Sequence, residues 1–277
     1  MKKRIIAALI MIPAVVFLLL AGKTALVVAA SIIALMSVYE MCAAYGFNKK
    51  EKIPVLIYIM LSVPIVFVVK SGVIIDKAGL DILSFVLTAY ILLGFVLMLI
   101  FNENVKMRDM FSALLVSCLL VYFLSYAVKI RTEMELGAYL IWAILVGACF
   151  TDTFALFGGK FFGKRKLAPK ISPKKTVEGS VSGIVGSVLM MMIFGFIVTL
   201  IDKDIAANYL YLALLGVVTS VFAQVGDLSL SAIKREAGIK DYGNLIPGHG
   251  GILDRLDSII FVSPVTYYFI LYFPIFS

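Results

Sequence analysis

Apolar runs of about twenty residues recur along this chain almost without a break, and they decide what its solvent must be. A helix that crosses a bilayer needs roughly 20 mostly apolar residues. Nine runs come within a few residues of that length: 5–22, 24–46, 53–69, 79–101, 109–128, 137–158, 180–201, 209–230 and 259–276. Of the 277 residues 62% are hydrophobic, against roughly 45–50% in a soluble domain, so lipid must cover part of the surface. The expectation is an all-α, polytopic integral membrane protein of about nine transmembrane helices. It reads as a single membrane domain over 1–277, with 1–136 as a scaffold. The half 137–277 carries the two long polar connections, 159–179 and 231–258. The 70–78 stretch either extends a span or forms a re-entrant piece, which leaves eight or ten spans as alternatives. The first run follows Met-Lys-Lys-Arg like a secretory signal, but it exceeds the ~7–15 residues of such a core. A second run follows at once, so the first reads as a retained span.

Charge orients the spans. Cytosolic segments of membrane proteins are enriched in Lys and Arg. With the N-terminus cytosolic, nineteen of the 25 Lys and Arg fall on the cytosolic side. Both long connections then face the cytosol, where nucleotides are, and the C-terminus lies outside. The net charge of +8 is thereby a membrane-orientation signal, and no nucleic-acid partner is expected. Cys42, Cys118 and Cys149 lie inside apolar runs without paired spacing, so neither a disulfide nor a zinc site is expected. Gly179, Ser182, Gly183 and Gly186 form a small-residue face at the start of the seventh span, which suits close helix packing.

Charged residues within spans are costly and are functional candidates by default. Glu40, Asp152 and Asp227 all fall in the cytosolic halves of their spans by this topology. Each has a bland reading as an interhelical hydrogen bond or ion pair; for Glu40 the two readings stand level. Asp227, Ser231 and Lys234, at i, i+4 and i+7, share one helical face. That face leads into a segment containing Lys234, Arg235, Lys240, Asp241, the run Pro247-Gly248-His249-Gly250-Gly251, then Asp254, Arg255 and Asp257. Glycines there let backbone amides approach an anion closely. Asp254 and Asp257 share a face if a helix begins nearby. His249, the only histidine, reads more simply as a loop or phosphate contact than as a base. The basic stretch Lys160 to Lys175, including Lys174 and Lys175, is by itself an orientation signal or an anionic-lipid patch. Beside the second polar segment it becomes a candidate phosphate site. Carboxylates suit magnesium, which is usually held by one or two of them plus substrate phosphates, and the cations suit a triphosphate. This combination describes phosphoryl or nucleotidyl transfer.

At these residues the sequence resembles the phosphatidate cytidylyltransferase (CDP-diacylglycerol synthase) family. Its signature runs Ser, any, apolar, Lys-Arg, four residues, Lys-Asp, one residue, small, two residues, apolar, Pro or Gly, one residue, His-Gly-Gly, apolar, one residue, Asp-Arg, apolar, Asp. Ser231 through Asp257 satisfies every position. Asp152 to Gly179, with Ser172-Pro-Lys-Lys-Thr176 and Glu178-Gly179, resembles the family's second shared stretch. In the N-terminal half the likeness is only a pattern of spans. The resemblance implies that CTP and phosphatidate give CDP-diacylglycerol and pyrophosphate, with magnesium at Asp227 and Asp254 and a monovalent cation, potassium, beside it. Lys234, Arg235, Lys240, Asp241, Arg255 and Asp257 complete the catalytic set. Ser231, His249, Gly250, Gly251, Lys174, Lys175 and Asp152 are expected at substrate. A homodimer in a cell membrane, of the bacterial inner-membrane kind, with a cytosol-facing site is also implied. Two alternatives stand beside this: another lipid nucleotidyltransferase or lipid kinase of related build, such as a CDP-archaeol synthase, and a transporter with the intramembrane acids lining an ion path. The gathering of acids on one side, beside phosphate-friendly segments, favours an enzyme.

Overall fold

The computed structural model describes residues 13, 15–20, 22–70, 82–101, 103–245 and 250–277. Most of the expected first span, the 70–78 stretch beyond Lys70, and His249 lie outside the described residues. The elements are helices α1 (Lys23–Ala44), α2 (Ile53–Lys70), α3 (Ile82–Ile100), α4 (Met107–Val116) and α5 (Phe123–Glu133). They continue with α6 (Gly137–Phe162), strands β1 (Lys166–Ala168) and β2 (Ser172–Thr176), α7 (Val177–Ile201), α8 (Tyr209–Glu236) and α9 (Leu253–Tyr272). A π-helical segment, Ser117–Tyr122, joins α4 to α5. Among the described residues five helices are long and apolar enough to cross a membrane: Lys23–Ala44, Met107–Glu133, Gly137–Phe162, Val177–Ile201 and Tyr209–Glu236. The protein is a helical membrane protein whose only described sheet is the short β1–β2 hairpin.

The hairpin departs from the all-helical expectation and occupies part of the connection expected at 159–179. Lys166 pairs with Thr176 and Ala168 with Ser172. Both strands are edges, so Pro173 fits without removing an interior ladder bond. The helices also run past their apolar limits: α6 continues to Phe162 and α8 to Glu236. Hydropathy marks where the lipid-compatible stretch stops, whereas the backbone ladder stops only where a cap or breaker intervenes.

The chain forms two compact units. The first comprises Met1–Glu133 and Ile239–Arg255. In it, Tyr58 and Tyr90 stack at 4.2 Å between ring centroids. Tyr58 donates to the Tyr90 carbonyl oxygen at 2.8 Å, and the Tyr90 hydroxyl shares a 2.7 Å hydrogen bond with Ser117 of the π-helical segment. Each phenol thus has a partner where water is absent.

The second unit comprises Met134–Gly238 and Leu256–Ser277. Its α7 is apolar all round, so hydrophobic patterning cannot tell its faces apart. Size does. Gly179, Gly183, Gly186, Ser187 and Gly195 are buried, with Met191 and Val198 as the larger members of that face, whereas Val181, Val185, Leu189, Ile193, Phe196 and Leu200 are exposed. A methyl carbon at Gly183 would lie 3.0 Å from the Thr151 carbonyl oxygen on α6, and one at Gly179 would lie 2.7 Å from that of Ala155. Lipid solvates bulky chains as well as a core does, so small residues mark the protein face. The glycine face expected at the seventh span is therefore a packing face. Thr176 caps α7 by accepting from the Gly179 amide at 3.1 Å. Glu178 accepts from the amides of Lys164 at 2.9 Å and Arg165 at 3.1 Å, fastening the hairpin to the first turn of α7.

Candidate active site

In the second unit, acids from three helices face one another. Asp227 is on α8, Asp152 on α6 and Asp257 on α9. The Asp257 carboxylate is repelled by those of Asp227 and Asp152 and attracted by the Lys234 ammonium. The helical rise puts Ser231 one turn below Asp227, and its hydroxyl donates to Asp227 Oδ1 at 3.2 Å. Lys175, from β2, pairs with Asp227 Oδ2 at 2.5 Å. Lys234, one further turn along α8, is buried. Gly226 permits this convergence: a methyl carbon there would lie 2.5 Å from the Asp257 carbonyl oxygen, so only glycine lets α8 and α9 approach so closely beside their acids. The Arg235 guanidinium donates to the Ile171 carbonyl oxygen at the hairpin turn, at 3.3 Å. Lys174 is exposed on the same hairpin.

Ser258 was not singled out from the sequence. Its hydroxyl donates to Asp152 Oδ2 at 3.1 Å, and its amide to Asp257 Oδ1 at 2.8 Å. A hydroxyl directly after the last signature acid was the available signal.

In the first unit, further signature residues form an arrangement of their own. Asp254 is buried, and its Oδ2 accepts from the amides of Tyr242 at 2.9 Å and Gly251 at 3.0 Å. Glu40, on α1, accepts from the amides of Ile252 at 3.1 Å and Leu253 at 2.9 Å. Gly250 adopts φ +86°, a conformation that side chains resist. The amides of Gly251, Ile252 and Leu253 do meet anions, and the anions are the protein's own carboxylates. Lys240, Asp241 and Arg255 are exposed around it. Asp254 and Asp227, the two positions matched to metal, belong to different units.

A cytidylyltransferase family model matches residues 2–273. The chain belongs to the cytidylyltransferase family. It is similar to a phosphatidate cytidylyltransferase of Staphylococcus epidermidis, with 34% identity over 268 residues, covering 96% of this chain and 97% of the relative. It is also similar to one of Bacillus subtilis, with 43% identity over 148 residues and 53% of each chain covered. A third, of Rickettsia bellii, is 44% identical over 131 residues, covering 46% of this chain and 57% of the relative.

The donor set of this cytidylyltransferase family member fits magnesium in kind, because every candidate ligand is a hard carboxylate oxygen. Among the described residues no three His, Cys, Asp or Glu side chains close into a ready-made cage. The ligands that Asp227 now holds, a lysine and a hydroxyl, are exchangeable side-chain groups.

Proposed function

We propose that this chain transfers CMP from CTP to phosphatidate, giving CDP-diacylglycerol and pyrophosphate. The observation that carries the reading is the meeting of Asp152, Asp227 and Asp257, from three helices, with Lys175 and Lys234. It lies within a signature complete from Ser231 to Asp257. A substrate with a charged headgroup and lipid tails needs this combination of lipid-compatible surface and polar cluster. The full-length relative of Staphylococcus epidermidis bears the name of the same reaction.

Phosphatidate keeps its acyl chains in the bilayer and offers its phosphate at the interface, while CTP arrives from water. A phosphatidate oxygen forms a bond to the α-phosphorus of CTP as the bond from that phosphorus to the β-phosphate oxygen breaks, and pyrophosphate leaves. The nucleophile is already anionic, so no strong base is required. Lys175 and Lys234, with the exposed Lys174, Arg235, Lys240 and Arg255, neutralise phosphate charge. Ser231 orients Asp227, and Ser258 orients Asp152. Magnesium, which the family resemblance assigns to Asp227 and Asp254, and potassium would supply further charge neutralisation on the phosphates.

The finer architecture in this proposal is nine spans in a bacterial cell membrane, the N-terminus and both polar connections cytosolic, and a homodimer. The asymmetry of the lysines and arginines supports that orientation. Cysteine labelling from each side, at positions 50 and 203, tests it: only position 50 should react from the cytosolic side. The activity is tested with purified protein, CTP and phosphatidate in detergent micelles. Magnesium-dependent CDP-diacylglycerol is expected. A well-folded protein that makes none under these conditions would overturn the assignment.

A further inference from the structure

Glu40 sits on an apolar helix, 212 and 213 residues before the two amides it binds, and it is only 8% exposed. Leu253 opens α9. The first amides of a helix have no acceptor within it, and the positive end of the helix favours an anion. A local cap would come from the residues just before α9, but Gly250 and Gly251 have no side chains to give. Glu40 supplies the acceptor from α1 instead. Gly243 and Gly251 make room for it: a methyl carbon at either position would overlap the Glu40 carboxylate. The signature's requirement for a small residue at 243 thus has a physical cause, the bulk of Glu40. Three successive amides, of Gly251, Ile252 and Leu253, are held by two carboxylates, Asp254 and Glu40.

We propose that Glu40 is a positioning residue for the transfer reaction. It fixes residues 250–253, at the start of α9, against α1, so that Asp254 and its neighbour Arg255 are presented in one geometry. This inference rests on the nucleotidyl-transfer reading for its consequence, though not for its contacts. Partners that orient metal-binding carboxylates typically change affinity or activity by about 10–100-fold when removed.

The test uses the full chain in detergent. Glu40→Gln keeps the size of the side chain but replaces one acceptor with a donor and removes the charge. In metal-free protein the amides of Ile252 and Leu253 should lose hydrogen-exchange protection. The magnesium concentration for half-maximal turnover should rise by about tenfold or more. In a second arm, Gly243→Ala should impair the wild-type protein yet add nothing in a Glu40→Ala background, because the clash partner is gone. Unchanged exchange and magnesium dependence in Glu40→Gln, or additive effects in the cycle, would overturn the proposal. So would a loss of folded protein with unaltered magnesium dependence in the remainder, which is the mark of a merely structural role. If the wild-type chain makes no CDP-diacylglycerol, the reaction reading fails, while the exchange measurement and a thermal-stability version of the cycle still decide the Glu40 contact.

Discussion

In the second unit Asp227 and Asp152 meet side chains: Asp227 holds Lys175 and Ser231, and Asp152 holds Ser258. In the first, Glu40 and Asp254 meet the main chain, and between them they accept from four backbone amides. A lysine or a hydroxyl is released by a rotamer change, so the first kind of carboxylate can exchange its partner for a cation or a substrate phosphate. A backbone amide is released only by moving the chain, so the second kind sets loop geometry. The same residue type therefore suits ligand exchange at Asp227 and Asp152 and construction at Glu40 and Asp254, and the partner, not the acid, tells them apart.

The largest effect expected from this contrast is at Asp227. Asp227→Asn should lower CDP-diacylglycerol formation by on the order of a hundredfold or more while leaving the melting temperature in detergent nearly unchanged, since its partners are exchangeable. Stripping divalent cations with a chelator should likewise abolish turnover. Magnesium should restore it, and the exchange protection of Ile252 and Leu253 should persist throughout. At Asp254 the two roles separate by variant. Asp254→Ala orphans two amides and should destabilise by about 1–3 kcal/mol as well as losing activity. Asp254→Asn keeps an acceptor oxygen and should lose activity with a smaller stability change. Equal destabilisation by Asp227→Ala and Asp254→Ala, read from thermal melts, would erase the contrast. Lys175→Met removes a partly exposed ion pair, so its stability should change by less than about 1 kcal/mol, while the KM for CTP should rise if Lys175 moves onto phosphate. Ser258→Ala should be the mildest, costing about 0.5–1.5 kcal/mol for one hydrogen bond and lowering turnover only slightly.

Much of the fold was legible in the apolar runs. The helices Lys23–Ala44, Gly137–Phe162, Val177–Ile201 and Tyr209–Glu236 each contain or nearly match an expected span, because hydrocarbon leaves a chain of that length few other ways to satisfy its backbone. The β1–β2 hairpin was not legible: a basic segment punctuated by Pro169 and Pro173 reads as a loop, and its pairing depends on anchorage by Glu178 at the start of α7. The face of Asp227, Ser231 and Lys234 could be read from helical periodicity. The contact of Ser258 with Asp152 could not, because the two lie 106 residues apart.

What the sequence determined by itself was the solvent, the helical class and the signature residues, since these follow from local composition and spacing. Which acids face side chains and which face amides was decided only by tertiary structure. Glu40 looked like Asp152 and Asp227, a lone carboxylate in an apolar run. It takes on a different role because the fold brings it to the open end of α9, where two glycines leave it room and the unpaired amides of a helix start need an acceptor. No local pattern records a contact that spans more than two hundred residues.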